Sequence, residues 1–149
     1  MIRLTRKQMF AVEAVLNIAY NASEVPVQSR EIAERQGVPR RYLEQLLQHL
    51  VRADILRGVR GPRGGYRLAR ERRRITLGEI VRVVAETERE DAPDETGSEL
   101  GRRVLLPVWR QLEEQALERL DGISVEDLCQ QARATGVEGL SRPQADFMI

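Results

Sequence analysis

The chain has 149 residues, enough for one compact domain or for a small domain with an assembly element. Its 42% hydrophobic content supports a core, and its 32% charged content a well-solvated, mostly helical surface. A net charge of +1 argues at first sight against a nucleic-acid binder, and the uncharged run Ala14–Ser23 is shorter than the roughly 20 residues that cross a bilayer.

That average hides a partition. Residues 1–75 carry 16 Lys and Arg against 7 Asp and Glu, a net +9, while residues 76–149 carry 8 against 16, a net −8. A basic half joined to an acidic half is the pattern of a DNA-reading head attached to a region that faces away from DNA, although a dipolar, inert surface has the same signature. With no basic–apolar–small leader pattern, the chain is expected to be cytoplasmic and not membrane-bound. A single cysteine, Cys129, can form no internal disulfide.

Thr5 and Gln8 have capping-box spacing and open an apolar-periodic stretch, which predicts a first helix over about 5–22. Pro26 breaks it. Ser29 is placed as the N-cap of a short second helix, "REIAERQ", which stops at Gly37. Pro39 then suits the first position of a third helix, about 39–53, because its missing N–H needs no partner there. Leu43, Leu46, Leu47, Leu50 and Val51 form one apolar stripe on this helix. Its opposite face presents Arg41, Glu44, Gln45, Gln48 and Arg52, flanked by Arg40, Tyr42 and His49.

Residues 55–60 and 66–69 read as two short strands around a Gly61–Gly65 turn. Thr76 and Glu79 cap a fourth helix over about 76–87. Residues 88–99 are acidic, interrupted by Pro and Gly, and read as a loop. A longer helix runs to about Asp121, with Val104, Leu105, Val108, Trp109, Leu112, Leu117 and Leu120 on one side. Pro107 requires that this helix start nearby or kink. Gly122 ends it, Ser124 and Asp127 cap a last short helix, and residues 135–149 read as a flexible tail.

Helix, glycine-containing turn and helix is the helix-turn-helix arrangement, whose second helix enters the major groove. Ala33 is small where the helices cross, and Ile32, Val38, Leu43 and Leu46 supply buried contacts. Arg bonds bidentately to guanine, Gln to adenine, and Glu accepts from cytosine, so Arg40, Arg41, Glu44, Gln45 and Gln48 form a reading set. Ser29, at the start of the second helix, is counted with the DNA-facing residues. An ordinary solvated helix face is the competing reading.

The stretch "RGVRGPRGGYRLA", residues 57–69, decides between them. It follows the third helix directly, as the wing of a winged helix does. Gly61, Gly64 and Gly65 are expected to supply positive φ and close backbone approach. Arg60 and Arg63 at the tip can reach phosphates or a narrow minor groove.

The stretches "LTRKQMFAVEAVLNIA", "IAERQGVPRRYLEQLLQHL", "GVRGPRGGYRLA", "ITLGEIVRVV" and "VWRQLEEQALERLDGISVEDL" resemble the Rrf2-type winged-helix regulators of bacteria over about residues 1–130. The resemblance implies a mainly α fold with a small β wing: a winged helix-turn-helix domain over 1–87, an acidic loop over 88–99 and dimerisation helices over 100–134. It further implies a homodimer on a palindromic operator, with Tyr42, Glu44 and Gln45 as recognition-helix contacts and Arg60 as the wing contact. The apolar residues from Val104 to Leu120 would then form the dimer interface, with Trp109 as an anchor.

One departure from the family stands out. Its cluster-bearing members place three cysteines in the loop before the dimer helix, and here Glu88–Arg103 contains none. Thiolates are the usual ligands of such clusters, so no cofactor and no metal site is expected. A cluster or redox sensor with unusual ligands, using Cys129 with carboxylate or His49, is the alternative. Cys129 itself reads as a small, half-buried hydrophobe.

The expected function is a sequence-specific, double-stranded-DNA-binding transcriptional regulator, a repressor, with no conventional [2Fe–2S] cluster. The competing class is a winged-helix module that docks a protein, which would favour aromatic or apolar anchors over arginines. An enzyme is not expected: the chain has no Ser/His/Asp or Cys/His set, phosphate loop or HExxH. The operator, the regulated genes and the effector are not legible in the chain.

Overall fold

A computed structural model describes residues 3–89 and 97–139. Helix α1 (Arg6–Tyr20) is the central element. Its N-terminus is closed by the predicted box: Thr5 Oγ1 accepts from the Gln8 amide at 3.2 Å, and Gln8 Oε1 accepts from the Thr5 amide at 3.1 Å. Ala11, Ala14, Val15, Ile18 and Ala19 recur on one face and are fully buried. The small alanines let neighbouring helices approach closely.

Helix α2 (Ser29–Gln36) begins one residue earlier than expected. Gln28 is the N-cap and makes no side-chain cap, while Ser29 is the first helical residue and is buried. The Ser29 hydroxyl is used elsewhere, as described below. Gly37 closes α2 in the left-handed conformation, at φ +67°, which only glycine adopts without strain.

Helix α3 (Arg40–Arg52) buries Leu43, Leu46, Leu47 and Leu50. Pro39 is its N-cap, with extended backbone, and not its first helical residue. The chain leaves α3 through Asp54, at φ +61°, a region where Asp is tolerated better than most residues.

Strands β1 (Leu56–Val59) and β2 (Gly65–Leu68) pair antiparallel, Leu56 opposite Leu68 and Val59 opposite Gly65. A short 3-10 turn (Arg72–Arg74) leads into α4 (Leu77–Arg89). The predicted box forms there too, with Thr76 Oγ1 accepting from the Glu79 amide at 3.2 Å and Glu79 Oε2 accepting from the Thr76 amide at 3.1 Å.

Pro107 sits in the first turn of the next helix, which starts beside it as the sequence requires. A single π turn (Gly101–Leu105) precedes α5 (Leu106–Asp121), and the Leu106 amide donates to the Gly101 carbonyl. Widening one turn absorbs the proline, which has no N–H and whose ring crowds the carbonyl four residues back. Of the expected loop over 88–99, residues 90–96 lie outside the described residues, as do residues 140–149 of the expected tail.

Helix α6 (Val125–Ala134) opens with the predicted Ser124–Asp127 capping box. Grouped in sequence with the expected dimerisation helices, it packs on α1 and contributes Val125 and Cys129 to the core of the head. Backbone bonds from Leu77 to Ile123 (2.9 Å) and from Val125 to Ile75 (2.8 Å) fix it there. Cys129 is therefore wholly buried.

A single core thus joins α1, α2, α3, the base of the wing, α4 and α6. In contrast, α5 has no buried residue, and Val104, Leu105, Val108, Trp109 and Leu112 are exposed. Among the described residues no helix is long and apolar enough to cross a membrane.

Candidate nucleic-acid interface

The leucine face of α3 is pinned to the core, so the remaining face of the helix is forced outward. Arg40, Arg41, Gln45, Gln48 and Arg52 are all exposed on it. Tyr42 is half-buried, and its ring packs edge-on against Phe10 of α1 with centroids 6.2 Å apart. The Arg6 guanidinium covers the Phe10 ring at 5.6 Å. Tyr42 therefore also anchors α3 to α1.

The wing is stiffer than its glycine content suggests. Val27, in the segment before α2, bridges to Tyr66 through two backbone bonds, Val27 N–H to Tyr66 O at 3.1 Å and Tyr66 N–H to Val27 O at 2.8 Å. The Arg67 guanidinium donates to the Ser23 carbonyl at 2.7 Å and to the Glu24 carbonyl. Together these tie β2 to the chain entering α2. Of the three glycines expected to adopt positive φ, only Gly61 does, at +112°. Gly64 and Gly65 are needed for close approach: a β-carbon on Gly64 would lie 2.2 Å from the Val59 carbonyl oxygen, and one on Gly65 2.4 Å from that of Val27.

Between α3 and the wing lies an open groove of about 730 Å³. Of the predicted residues, Ser29, Arg40, Gln48 and Arg60 line it together. Arg41 and Gln45 stand on the exposed face of the same helix, and Arg63 is exposed at the wing tip. Gln28, Val51 and Tyr66 also line the groove and were missed. Gln28 was hidden by the one-residue error in the start of α2, and Val51 was assigned wholly to the core stripe.

Glu44 is half-buried and already engaged. Its Oε1 accepts from Arg40 Nε at 2.9 Å and from Ser29 Oγ at 3.0 Å. The charged and amide side chains lining the groove are those of Arg40, Arg60, Gln28 and Gln48, while Glu44, the one predicted carboxylate of the reading set, is bonded internally. Such a surface suits a polyanion with hydrogen-bonding edges.

The predicted dimerisation residues separate in exposure. Val104, Leu105, Val108, Trp109 and Leu112 are exposed, whereas Leu117 and Leu120 are half-buried. Where α5 meets α4, the Arg82 guanidinium forms a two-pronged bond to the Asp121 carboxylate, one arm at 2.8 Å.

Comparison with known proteins places this arrangement. A family model described as "Rrf2: Iron-dependent Transcriptional regulator" matches residues 4–131. The HTH-type transcriptional regulator IscR of Xenorhabdus nematophila is 39% identical over 129 residues, covering 85% of this chain and 79% of that protein. Among solved structures, IscR of T. potens superposes with a TM-score of 0.72 at 32% identity, covering 93% of this chain and 94% of that one. CymR, the global cysteine regulator of B. subtilis, superposes with a TM-score of 0.67 at 30% identity, covering 88% and 98%. The family model, the Xenorhabdus protein and CymR are each named as regulators. The chain, a winged helix-turn-helix protein, belongs to the Rrf2 family of transcriptional regulators.

Proposed function

We propose that the protein binds double-stranded DNA as a homodimer on a palindromic operator and acts as a repressor. The observation that carries this reading is the groove in which Arg40, Gln48 and Arg60 converge from α3 and the wing. Phosphate neutralisation by the arginines supplies affinity, and amide and guanidinium contacts to base edges supply specificity. Arg41, Tyr42, Gln45 and Arg63 belong to the same surface. Occupation of a duplex site by such a molecule excludes other proteins from it, which is the physical basis of repression.

Self-association is supported by α5. Five large apolar residues, Val104 and Leu105 in the π turn before it and Val108, Trp109 and Leu112 on it, are exposed, and a row of that kind on a folded protein marks an interface. A second α5 related by two-fold symmetry offers the same row, so the patch complements itself.

The family description names iron, and the donor set of this chain does not fit a cluster held by thiolates. It has one cysteine and one histidine. Cys129 is wholly buried in the head, and burial pushes its thiol up from the ordinary value, disfavouring the thiolate that would bind iron. Among the described residues no three His, Cys, Asp or Glu side chains gather as metal ligands. The proposed regulator accordingly works without a conventional [2Fe–2S] cluster.

Selection of bound fragments from genomic DNA, followed by sequencing, tests the reading. Enrichment of an inverted repeat is expected. An unenriched pool, or a single unrepeated half-site, contradicts it.

A further inference from the structure

The three-way contact at Glu44 sets two of the predicted DNA contacts against each other. Arg40 lies in the first turn of α3, which contains no acidic residue, and a cation there opposes the helix dipole. Arg at i with Glu at i+4 is also the weaker order for a helical ion pair. The Arg40 side chain is 61% exposed and that of half-buried Glu44 42%, so the pair adds little to the stability of the free protein. Local helix physics therefore gives no reason for Arg40 to be where it is. Residues that break a local rule concentrate at functional sites.

The electrostatics of a bound duplex supplies the reason. Glu44 is a carboxylate beside a groove suited to phosphates, and an uncompensated charge there would be repelled. Arg40 cancels that charge at 2.9 Å. The Ser29 hydroxyl, fixed because Ser29 is buried in α2, holds the same oxygen at 3.0 Å. Both donors take Oε1, and among the described residues Oε2 accepts no hydrogen bond.

We propose that Arg40 and Ser29 are positioning residues for Glu44 and not themselves DNA contacts: they neutralise and orient its carboxylate so that Oε2 accepts from a base amino group. The inference rests on the DNA-binding reading above and assigns two residues of that surface a different role. It also gives a role to the buried Ser29, whose hydroxyl is already spent on Glu44 at the edge of the groove it lines.

A double-mutant cycle on the full chain tests it, using operator fragments recovered by selection and fluorescence anisotropy at several salt concentrations. Arg40→Ala is expected to weaken binding by about tenfold in the wild-type background but by less than about threefold when Glu44→Gln is already present. The salt slope should be the same with and without Arg40, because no phosphate contact is removed. Ser29→Ala should lose discrimination at the base pair where Glu44→Gln also loses it. Equal losses in both backgrounds, with the slope reduced by about one, would make Arg40 an ordinary phosphate contact and overturn the inference while leaving DNA binding intact. An unaltered chain that binds no duplex at any salt would overturn both.

Discussion

Gly78 of α4 lies directly beneath Asp121 at the end of α5: a β-carbon on Gly78 would fall 1.8 Å from Asp121 Oδ1 and 3.0 Å from the Asp121 backbone nitrogen. The absence of a side chain there allows α5 to close onto the head, and Arg82 then clamps the same carboxylate. Replacing a helical glycine by alanine ordinarily stabilises by about 1 kcal/mol. Here the overpacking, about 1–3 kcal/mol, should win. Gly78→Ala is expected to lower the urea midpoint, and a raised midpoint would show that the contact relaxes freely.

The Arg82–Asp121 pair also predicts a pH dependence. The hydrogen bond from Arg82 holds the Asp121 carboxyl below its ordinary value. A depressed carboxyl contributes stability that is present above the unfolded value, about 3.9, and is lost as pH falls through the folded one. The difference in thermal midpoint between wild type and Asp121→Asn should therefore be present at neutral pH and vanish in strong acid. A difference independent of pH would contradict this assignment.

Cys129 should be chemically silent in the native protein. It is wholly buried, and desolvation is the largest influence raising its thiol, outweighing the opposing field of Arg72. Reaction with a thiol reagent is expected only as fast as α6 opens, and promptly in denaturant. Cys129→Ser, which puts a hydroxyl at a wholly buried position, should destabilise by about 1–3 kcal/mol. Prompt labelling of the folded protein would contradict the burial.

Gly65 separates wing stiffness from wing charge. Its missing side chain lets β2 approach the Val27 carbonyl, so Gly65→Ala should break the Val27–Tyr66 bridge. A loss of about 2 kcal/mol is expected by analogy with other overpacked sites, together with weaker DNA binding. Differential scanning calorimetry alongside anisotropy checks both. An unchanged melting temperature would mean that the bridge does not hold the wing.

Local chemistry explains which parts of this molecule were legible in the sequence. The boxes Thr5–Gln8, Thr76–Glu79 and Ser124–Asp127 each satisfy backbone donors within one turn, and all three form as read. The leucine period of α3 and the αL turn at Gly37 are equally local. What escaped reading depends on contacts between distant segments. Ser29 has the chemistry of an N-cap, yet a carboxylate fifteen positions away takes its hydroxyl. Helix α6 shows an apolar face, but nothing in "VEDLCQQAR" says that α1 will cover it. Gly64 and Gly65 read as sites of positive φ and of close approach; only the close approach forms, and the carbonyls that require it, of Val59 and Val27, are not legible in the sequence. The Arg67 clamp on Ser23 and Glu24 left no sequence signal at all.

The most direct test of the α3–wing surface is a salt titration of operator binding by wild type, Arg60→Ala, Arg63→Ala and Gln45→Ala. For the wild type, the logarithm of the association constant should fall steeply and linearly with the logarithm of salt concentration. Each arginine substitution should reduce that slope by about one, whereas Gln45→Ala should keep the slope and relax preference at one base pair of the half-site. Binding that ignores salt, or arginine variants indistinguishable from wild type, would contradict the account.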